Sequence, residues 1–333
     1  MLYIIDYSTD PYWNLAAEEY LFKNFTEPVF RLWQNSDAII VGKYQNTMAE
    51  IDIDYVKKHD IKVVRRLTGG GAVFHDLGNL NFTFIEKKRD GEDSAAMFKR
   101  FTAPIIAALV GLGVKAELKG RNDLVIDDRK FSGNAVAIYK ERILQHGTLL
   151  FSTSIGQLAN ALKTRPEKFL GKSVQSNRSR VTNISQYLAN RMEIKEFRDF
   201  LGDFICNRYT LPYNDKIVPY HYSREDRQAI DKLKREKYAT DSWNFNKSPK
   251  FLFSNTRKLT GGMVEIYFTV ENGTIDNLEI YGDYFFTKPT EEFCSIMNGT
   301  QYTPEAVADR MKSINVRDYF NGIEANELKT LFF

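Results

Sequence analysis

Three consecutive glycines, Gly69-Gly70-Gly71, follow Arg65-Arg66-Leu67-Thr68 and precede Ala72-Val73-Phe74-His75-Asp76. Glycine has no Cβ, so such a run reaches positive φ and lets another molecule lie against the main chain. Successive bare N–H groups can then converge on an anion. The two arginines beside the run are cations suited to carboxylate or phosphate. The plainer alternative is a hairpin turn, because glycine punctuates turns in every fold class.

At 333 residues the chain exceeds one average domain. A hydrophobic content of 43% and an aromatic content of 14% suit a globular chain with a sizeable core. With 46 basic and 43 acidic residues the net charge is +3, too balanced to argue for nucleic acid. The first ten residues carry acidic groups and lack a long apolar core, which argues against a signal peptide. No apolar run reaches the roughly 18 residues of a membrane helix, so no membrane partner is expected. Cys206 and Cys294 are far apart, fit a reducing cytoplasm and have no metal-ligand spacing. His59, His75, His146 and His221 form no zinc-type cluster.

Periodicity predicts a helix over Asn14 to Phe22, with Asn14 as its cap. Two strands follow, Val29 to Trp33 and Ala38 to Val41, then a short helix from Ile53 and a strand from Lys62 into the glycine loop. A strand over Asn79 to Ile85 and an apolar helix over Thr102 to Leu112 come next. Strand-like runs cover Leu124 to Ile126, Lys130 to Tyr139 and Ile143 to Phe151. Helices and strands that do not alternate strictly point to an α+β fold. Gly171 to Arg180 is polar and aperiodic and reads as an exposed loop, and helices are expected over Glu193 to Asn207 and Ser223 to Tyr238. The pattern breaks between Trp243 and Pro249, placing a first domain over 1–245 and a second over 246–333. The second carries strands at Gly262 to Val270 and Thr274 to Tyr281, joined by the hairpin signal Glu271-Asn272-Gly273, then two helices.

Three further motifs could carry chemistry. Asn122-Asp123 before a strand most often makes a turn, and could also hold ribose, phosphate or a phosphate-bound Mg²⁺. Lys130 opens Lys-Phe-Ser-Gly-Asn-Ala, a small-residue strand. A lysine aimed into a pocket needs an anion there and can stabilise charge that develops in a transition state. A lysine on a strand edge is the plainer reading. His146 and Thr148 could line a ligand pocket, or His146 could be a buried strand histidine. His75-Asp76 reads as a turn device, and Tyr12, Trp33 and Tyr44 as core or as the walls of an apolar slot.

These motifs occur together and in order: Asp10 to Tyr20, Phe30 to Trp33, Val41 to Asn46, Arg65 to Asp76, Asn122-Asp123, Lys130 to Ala135, His146 to Leu150 and Ser176 to Ile184. As a set, and over essentially the whole chain, they resemble the lipoate-protein ligases. The resemblance implies a biotin/lipoate ligase-like mixed sheet with a small α/β accessory domain at the C-terminus. It implies that ATP, with Mg²⁺, activates lipoate to lipoyl-AMP. The acyl group then passes to one lysine of an apo lipoyl domain, in a dehydrogenase complex or the glycine-cleavage H protein.

Carried over by position, Lys130 would be the catalytic cation between carbonyl and phosphate. Gly70, Gly71, Ala72, Val73 and Phe74 would follow the adenylate, with Arg66, Gly133, Ala135, Thr148 and Leu150 around the nucleotide. Asn122 and Asp123 would serve phosphate or ribose, with Asp123 toward Mg²⁺. Trp33, Arg66, Thr68, Gly71, His75 and His146 would border the lipoyl group, and Ser176 to Arg180 would close over it. Thr68 replaces the serine of many relatives and keeps the hydroxyl. An octanoyltransferase on the same fold would need a nucleophilic cysteine among the motifs, and neither cysteine lies there. The Gly-Arg-Gly-Arg type loop of biotin ligases is absent. A lipoyl amidotransferase, a paralogue of narrowed specificity or a non-catalytic lipoate-binding homologue would retain much of the pattern.

Overall fold

The computed structural model describes the chain except for residues 46, 52, 157–180, 209–216, 246–252 and 272. Its largest element is an eight-stranded mixed sheet. In spatial order it runs Val218–Tyr220 (β11), Leu2–Ile4 (β1), Val29–Trp33 (β2), Asn79–Lys87 (β6), Arg142–Leu150 (β10), Arg129–Tyr139 (β9), Asp123–Ile126 (β8) and Ala116–Lys119 (β7). The first two pairings are parallel and the rest antiparallel. A three-stranded sheet, Lys62–Arg65 (β4), Ala38–Val41 (β3) and Val73–His75 (β5), carries the glycine loop between β4 and β5. The third sheet, Phe253–Leu259 (β12), Gly262–Glu271 (β13) and Thr274–Gly282 (β14), belongs to the C-terminal part. The α+β class follows from these non-alternating layers.

The first helix, Pro11–Asn24 (α1), starts earlier than its periodicity predicts. Its cap is Asp10, whose carboxylate accepts from the Tyr12 N–H at 2.9 Å, and Pro11 supplies a preset φ at the first turn. Asn14 is therefore an interior helix residue rather than the cap, and its buried amide bonds the Ser8 and Gln34 carbonyls. The apolar helix runs Ser94–Gly111 (α4), capped by Asp93, and is again longer than its sequence signal. At 18 residues and mean hydropathy 1.2 it is long and apolar enough to cross a membrane, contrary to the sequence expectation. The same face supplies the core: Phe98, Phe101, Ile105 and Leu109 pack on the large sheet. A ring series, Tyr3–Phe30 at 5.2 Å, Phe30–Phe84 at 4.8 Å and Phe84–Phe101 at 6.0 Å, ties this helix to three strands. Each buried phenylalanine contributes about 1.5–3 kcal/mol.

The short strands β1, β7 and β11 have too few residues for a period-2 signal, and β12 is mostly polar and exposed. The helix expected over Glu193 to Asn207 is Ile194–Asp203 followed by a wider turn over Phe204–Arg208, and that after Ser223 is Arg224–Leu233 followed by Lys234–Tyr238. The exposed loop expected at Gly171 to Arg180 lies outside the described residues, as do Asn272 and much of the Trp243–Pro249 break.

The C-terminal sheet and helices Thr290–Met297 and Pro304–Lys312 share a core that includes one residue from far upstream, Tyr44. Its ring stacks on Tyr284 at 5.6 Å and meets Phe286 edge-on at 4.6 Å, and its hydroxyl donates to Glu291 at 3.1 Å. The turn bearing Tyr44 is held by Arg65, which is fully buried. The guanidinium donates to the carbonyls of Gly42, Lys43, Gln45 and Trp243 and to the Thr47 hydroxyl, at 2.6–3.0 Å. None of these partners is an acid, and burial pulls the Arg65 pKa down to about 10. Replacing Arg65 with methionine would leave several buried carbonyls unpaired. The expected loss is at least about 3 kcal/mol, read from urea unfolding of Arg65→Met against wild type.

Candidate active site

Arg66 also spends its donors on carbonyls, but these shape the glycine loop. Nη2 donates to Gly69 and Gly71 at 2.7 and 2.8 Å, Nη1 to Ile40 at 2.9 Å, and Nε to the Thr68 hydroxyl at 2.9 Å. Four of the five guanidinium N–H groups are thus engaged. Burial lowers the Arg66 pKa to about 10, with Glu18 opposing the shift. Gly70 takes φ +93°, a conformation that a side chain disfavours. A Cβ at Gly69 would stand 2.3 Å from the Tyr284 carbonyl oxygen, and the Gly70 N–H donates to that oxygen at 3.3 Å. The C-terminal part therefore seats directly on the loop.

Beside the loop is a cavity of about 290 Å³. The loop contributes Gly70, Gly71, Ala72 and Val73 together with Arg66, and β9 contributes Lys130, Gly133 and Ala135. His146 and Thr148 come from β10, Trp33 and His75 from the far end, and Asn122 from the turn before β8. The structure thus gathers thirteen of the residues predicted from sequence. The other four stand outside the lining. Thr68 is buried behind it, Asp123 pairs with Lys130, Phe74 packs in the core with Ile39 and Val63, and Leu150 is buried near the end of β10.

Lys130 owes its orientation to a register shift. Leu124 pairs with Ser132 and Val125 with Lys130, so Phe131 is the extra residue of a bulge. The ammonium lies 2.7 Å from Asp123 and rests over Gly133, whose missing Cβ would sit 3.2 Å from Nζ. The pair is only partly shielded, with 40% and 37% of the two side chains exposed. Asn122 behaves as a turn lock: its amide donates to the Asn134 carbonyl at 2.6 Å, and Asn134 donates back to the Asn122 carbonyl at 3.0 Å. Thr148 accepts from the Gly133 N–H at 3.1 Å. Asp76 is the turn device that its sequence implies, with its carboxylate accepting from the Gly78 and Ser154 N–H groups.

The two histidines at the other end differ. His146 lies between the Thr68 hydroxyl, 2.8 Å from Nε2, and the Glu18 carboxylate, 2.9 Å from Nδ1. Thr83 donates to the same carboxylate at 2.7 Å and accepts from the Trp33 indole at 2.9 Å. Burial alone would raise the Glu18 pKa, but the contacts with His146 and Thr83 outweigh it and hold the carboxyl below its ordinary value. His75 is pushed down to about 3, chiefly by burial and then by Arg66, so its ring is neutral.

A larger cavity of about 1000 Å³ lies around Lys43, Tyr44, Glu291 and Cys294. Of the candidate pocket residues read from sequence it is lined by Tyr44 alone, and it lacks the convergent loop amides and paired lysine of the smaller one.

The model of the lipoyl protein ligase A/B catalytic domain matches residues 10–205, and that of the bacterial lipoate protein ligase C-terminus matches 248–332. Lipoate-protein ligase LplJ of Bacillus subtilis is 41% identical over 328 residues, 97% of each chain. The chain belongs to the lipoate-protein ligase family. The crystal structure of P. falciparum LipL1 in complex with lipoate superposes with TM-score 0.80 at 25% identity, over 99% of this chain and 98% of that one. A crystal structure of lipoate-protein ligase A bound with ATP gives TM-score 0.62 at 28% identity, over 73% and 97%. The chain has the ligase activity and the α+β fold of this family.

Several residues of the smaller cavity carried no usable sequence signal. Asp283 and Phe285 line it from the C-terminal part, about 100 residues beyond the last quoted motif. Arg121 links the two parts, donating to the Gly261 carbonyl at 2.7 Å with its guanidinium 4.2 Å from the Phe285 ring centroid. Glu18 and Asn134 lie inside the quoted motifs, and alternation along the strands could have flagged Asn134.

Two outcomes follow from this geometry. In Gly69→Ala the methyl group cannot coexist with the Tyr284 carbonyl. Hydrogen–deuterium exchange should therefore quicken around residues 69–71 and 283–286, and unchanged exchange there would contradict the seating. The second concerns acid. His75 titrates at an ordinary 6.5 when unfolded and near 3 when folded, so the unfolded chain binds the extra proton between those values. Its contribution is full above pH 6.5 and is lost as pH falls toward 3. The fall of unfolding free energy between about pH 6 and about pH 4 should be shallower in His75→Phe, by at most about 1.4 kcal/mol per pH unit.

Proposed function

We propose that this cavity activates free lipoate with ATP to form lipoyl-AMP and then transfers the lipoyl group to a lysine of an apo lipoyl domain. The acceptors would be the acyltransferase subunits of 2-oxoacid dehydrogenases and the glycine-cleavage H protein, in the cytoplasm. The observation that carries the reading is the polarity of this cavity. Lys130 and the glycine-loop amides stand at one end, and Trp33, His75 and His146 at the other. An apolar-walled slot ending at a cation suits an amphiphilic acid that is activated at its carboxylate. Residues 1–245 would form the catalytic domain and 246–333 the accessory domain.

In the first step a carboxylate oxygen attacks the α-phosphorus of ATP, and the bond to pyrophosphate breaks. Two anions must meet, so cations have to offset the repulsion. Of the cations that line the cavity, Arg66 and Arg121 are tied to main-chain carbonyls, whereas Lys130 pairs with the half-exposed Asp123. Gly71, Ala72 and Val73 offer main chain along which the adenylate would lie, with Gly70, Gly133, Ala135 and Thr148 around it. In the second step the acceptor amine attacks the acyl carbonyl, and AMP leaves with the bonding electrons.

A magnesium ion fits in a limited sense. Among the described residues no three acidic, histidine or cysteine groups converge on a point, and Asp123 offers one carboxylate. Mg²⁺ needs only one or two protein carboxylates when phosphates and water supply the rest. Bound there, it would neutralise phosphate charge. Asp123 would then exchange its contact with Lys130 for one with the ion, freeing the ammonium for the acyl phosphate.

The thioester route of an octanoyltransferase has no support. Burial raises Cys206 to about 11 and Cys294 to about 12, and neither lines the cavity. The test is lipoate-dependent ATP–pyrophosphate exchange, followed by mass-detected transfer to an apo lipoyl domain and to apo H protein. Exchange without transfer would point to another acceptor, and no exchange would remove the ligase reading. Because the Lys130–Asp123 pair is half exposed, Lys130→Ala should change stability by less than about 1 kcal/mol. It should nevertheless lower exchange at least about 100-fold. Normal exchange in that variant would refute the role given to Lys130.

A further inference from the structure

Within the proposed lipoate site, on which this inference rests, one buried side-chain nitrogen has no partner among the described residues, and a chain of buried groups fixes its protonation. Arg31 is fully buried and carries donors only. Its Nη2 donates to Asn14 Oδ1 at 2.5 Å, which sets the orientation of that amide. Asn14 Nδ2 therefore faces Asn35 as a donor, 2.9 Å from Oδ1. Asn35 must in turn present Nδ2 to His75, and does so 3.1 Å from Nδ1. Nδ1 is thus an acceptor, and the single proton of the neutral ring sits on Nε2. His75 is 3% exposed, its ring lines the cavity, and Nε2 has no partner among the described residues.

His146 provides the contrast. Both of its nitrogens are occupied within the protein, by Thr68 and by Glu18. The far end of the cavity therefore holds one satisfied imidazole and one with a donor to spare. A buried N–H without a partner is unfavourable, and a ligand atom able to accept from it recovers part of that loss. A methyl group recovers none. Divalent sulfur is a weak acceptor and suits a neutral N–H.

The position matches the acid as well as the chemistry. The Lys130 ammonium rests over Gly133, two residues and roughly 7 Å at strand rise from Ala135 along β9, and Ala135 pairs with His146. His75 lies 6.2 Å from Trp33, ring to ring, at that far end. An acid held by its carboxylate near Lys130 would bring its tail to this pair.

We propose that His75 is a specificity-determining residue, whose Nε2–H receives a ring sulfur of the acyl substrate and so favours a sulfur-bearing acid over the straight-chain acid of equal length. Asn35, Asn14 and Arg31 are positioning residues that keep the proton on Nε2, the ring nitrogen without a partner among the described residues.

The test compares lipoate with octanoate in ATP–pyrophosphate exchange, as a ratio of kcat/KM values, in wild type, His75→Phe and His75→Gln. Wild type should favour lipoate. His75→Phe keeps a ring of similar size without a donor and should lower the ratio about ten-fold. His75→Gln restores an N–H and should recover part of the ratio. An equal loss for both acids, or a greater loss for octanoate, would overturn the proposal, since a packing role alone predicts that. Calorimetric binding of the two acids to the wild-type protein needs no variant to fold, and equal affinities there would also overturn it. No exchange by wild type with either acid would overturn the ligase reading itself, and this inference with it.

Discussion

The structure depends on two buried guanidinium groups that bind main-chain carbonyls instead of acids. Arg65 gathers the Gly42–Thr47 turn, and Arg66 gathers the glycine loop. A buried cation needs compensation, and here several carbonyl dipoles provide it without a carboxylate that would compete for the ligand cations. The turn held by Arg65 carries Tyr44, the aromatic peg in the C-terminal core. The loop held by Arg66 forms the wall of the cavity and the seat of the Tyr284 carbonyl. Cavity wall and the contact with the C-terminal part are thus fixed by neighbouring residues at the end of β4.

This division of labour changes the meaning of the arginine pair. As sequence, Arg65-Arg66 before three glycines reads as two cations awaiting an anion. In the fold their donors are almost wholly engaged, and the cation proposed to meet the ligand is Lys130, held by one half-exposed carboxylate. A shape-giving cation has to be buried and saturated, and a reacting one has to be mobile and close to water.

How much of this was legible varies by element. Helices and long strands were visible from their periods, but their starts were not. The long helix opens with Ser94-Ala95-Ala96-Met97 after its Asp93 cap, ahead of the unbroken apolar run from Thr102, and α1 opens with Pro11-Tyr12-Trp13 after its Asp10 cap, ahead of the helical spacing that starts at Leu15. The three-residue strands carry too few alternations to be read at all. At the site, the glycine loop, Lys130 and the two histidines could be named because their chemistry is local: a missing Cβ, a charge in a small-residue strand, an imidazole. Phe74 alternates away from the cavity between Val73 and His75, whereas Leu150 shares the face of His146 and Thr148 but stands outside the lining at the end of β10, and motif membership reveals neither face nor reach.

The sequence by itself determined that the chain has an α+β fold, a glycine loop with room for a ligand backbone-to-backbone, one strand lysine and two candidate imidazoles, because each of these rests on residue type and short spacing. Only the tertiary structure decided which of those groups remain available to a ligand. Thr68 and Glu18 are 78 and 128 residues from His146 and saturate it. Asn35 is 40 residues from His75 and leaves it one proton to give. Asp283 and Phe285 close the cavity from the far end of the chain. Hydrogen-bond saturation is a property of neighbours in space, and a linear sequence does not say who those neighbours are.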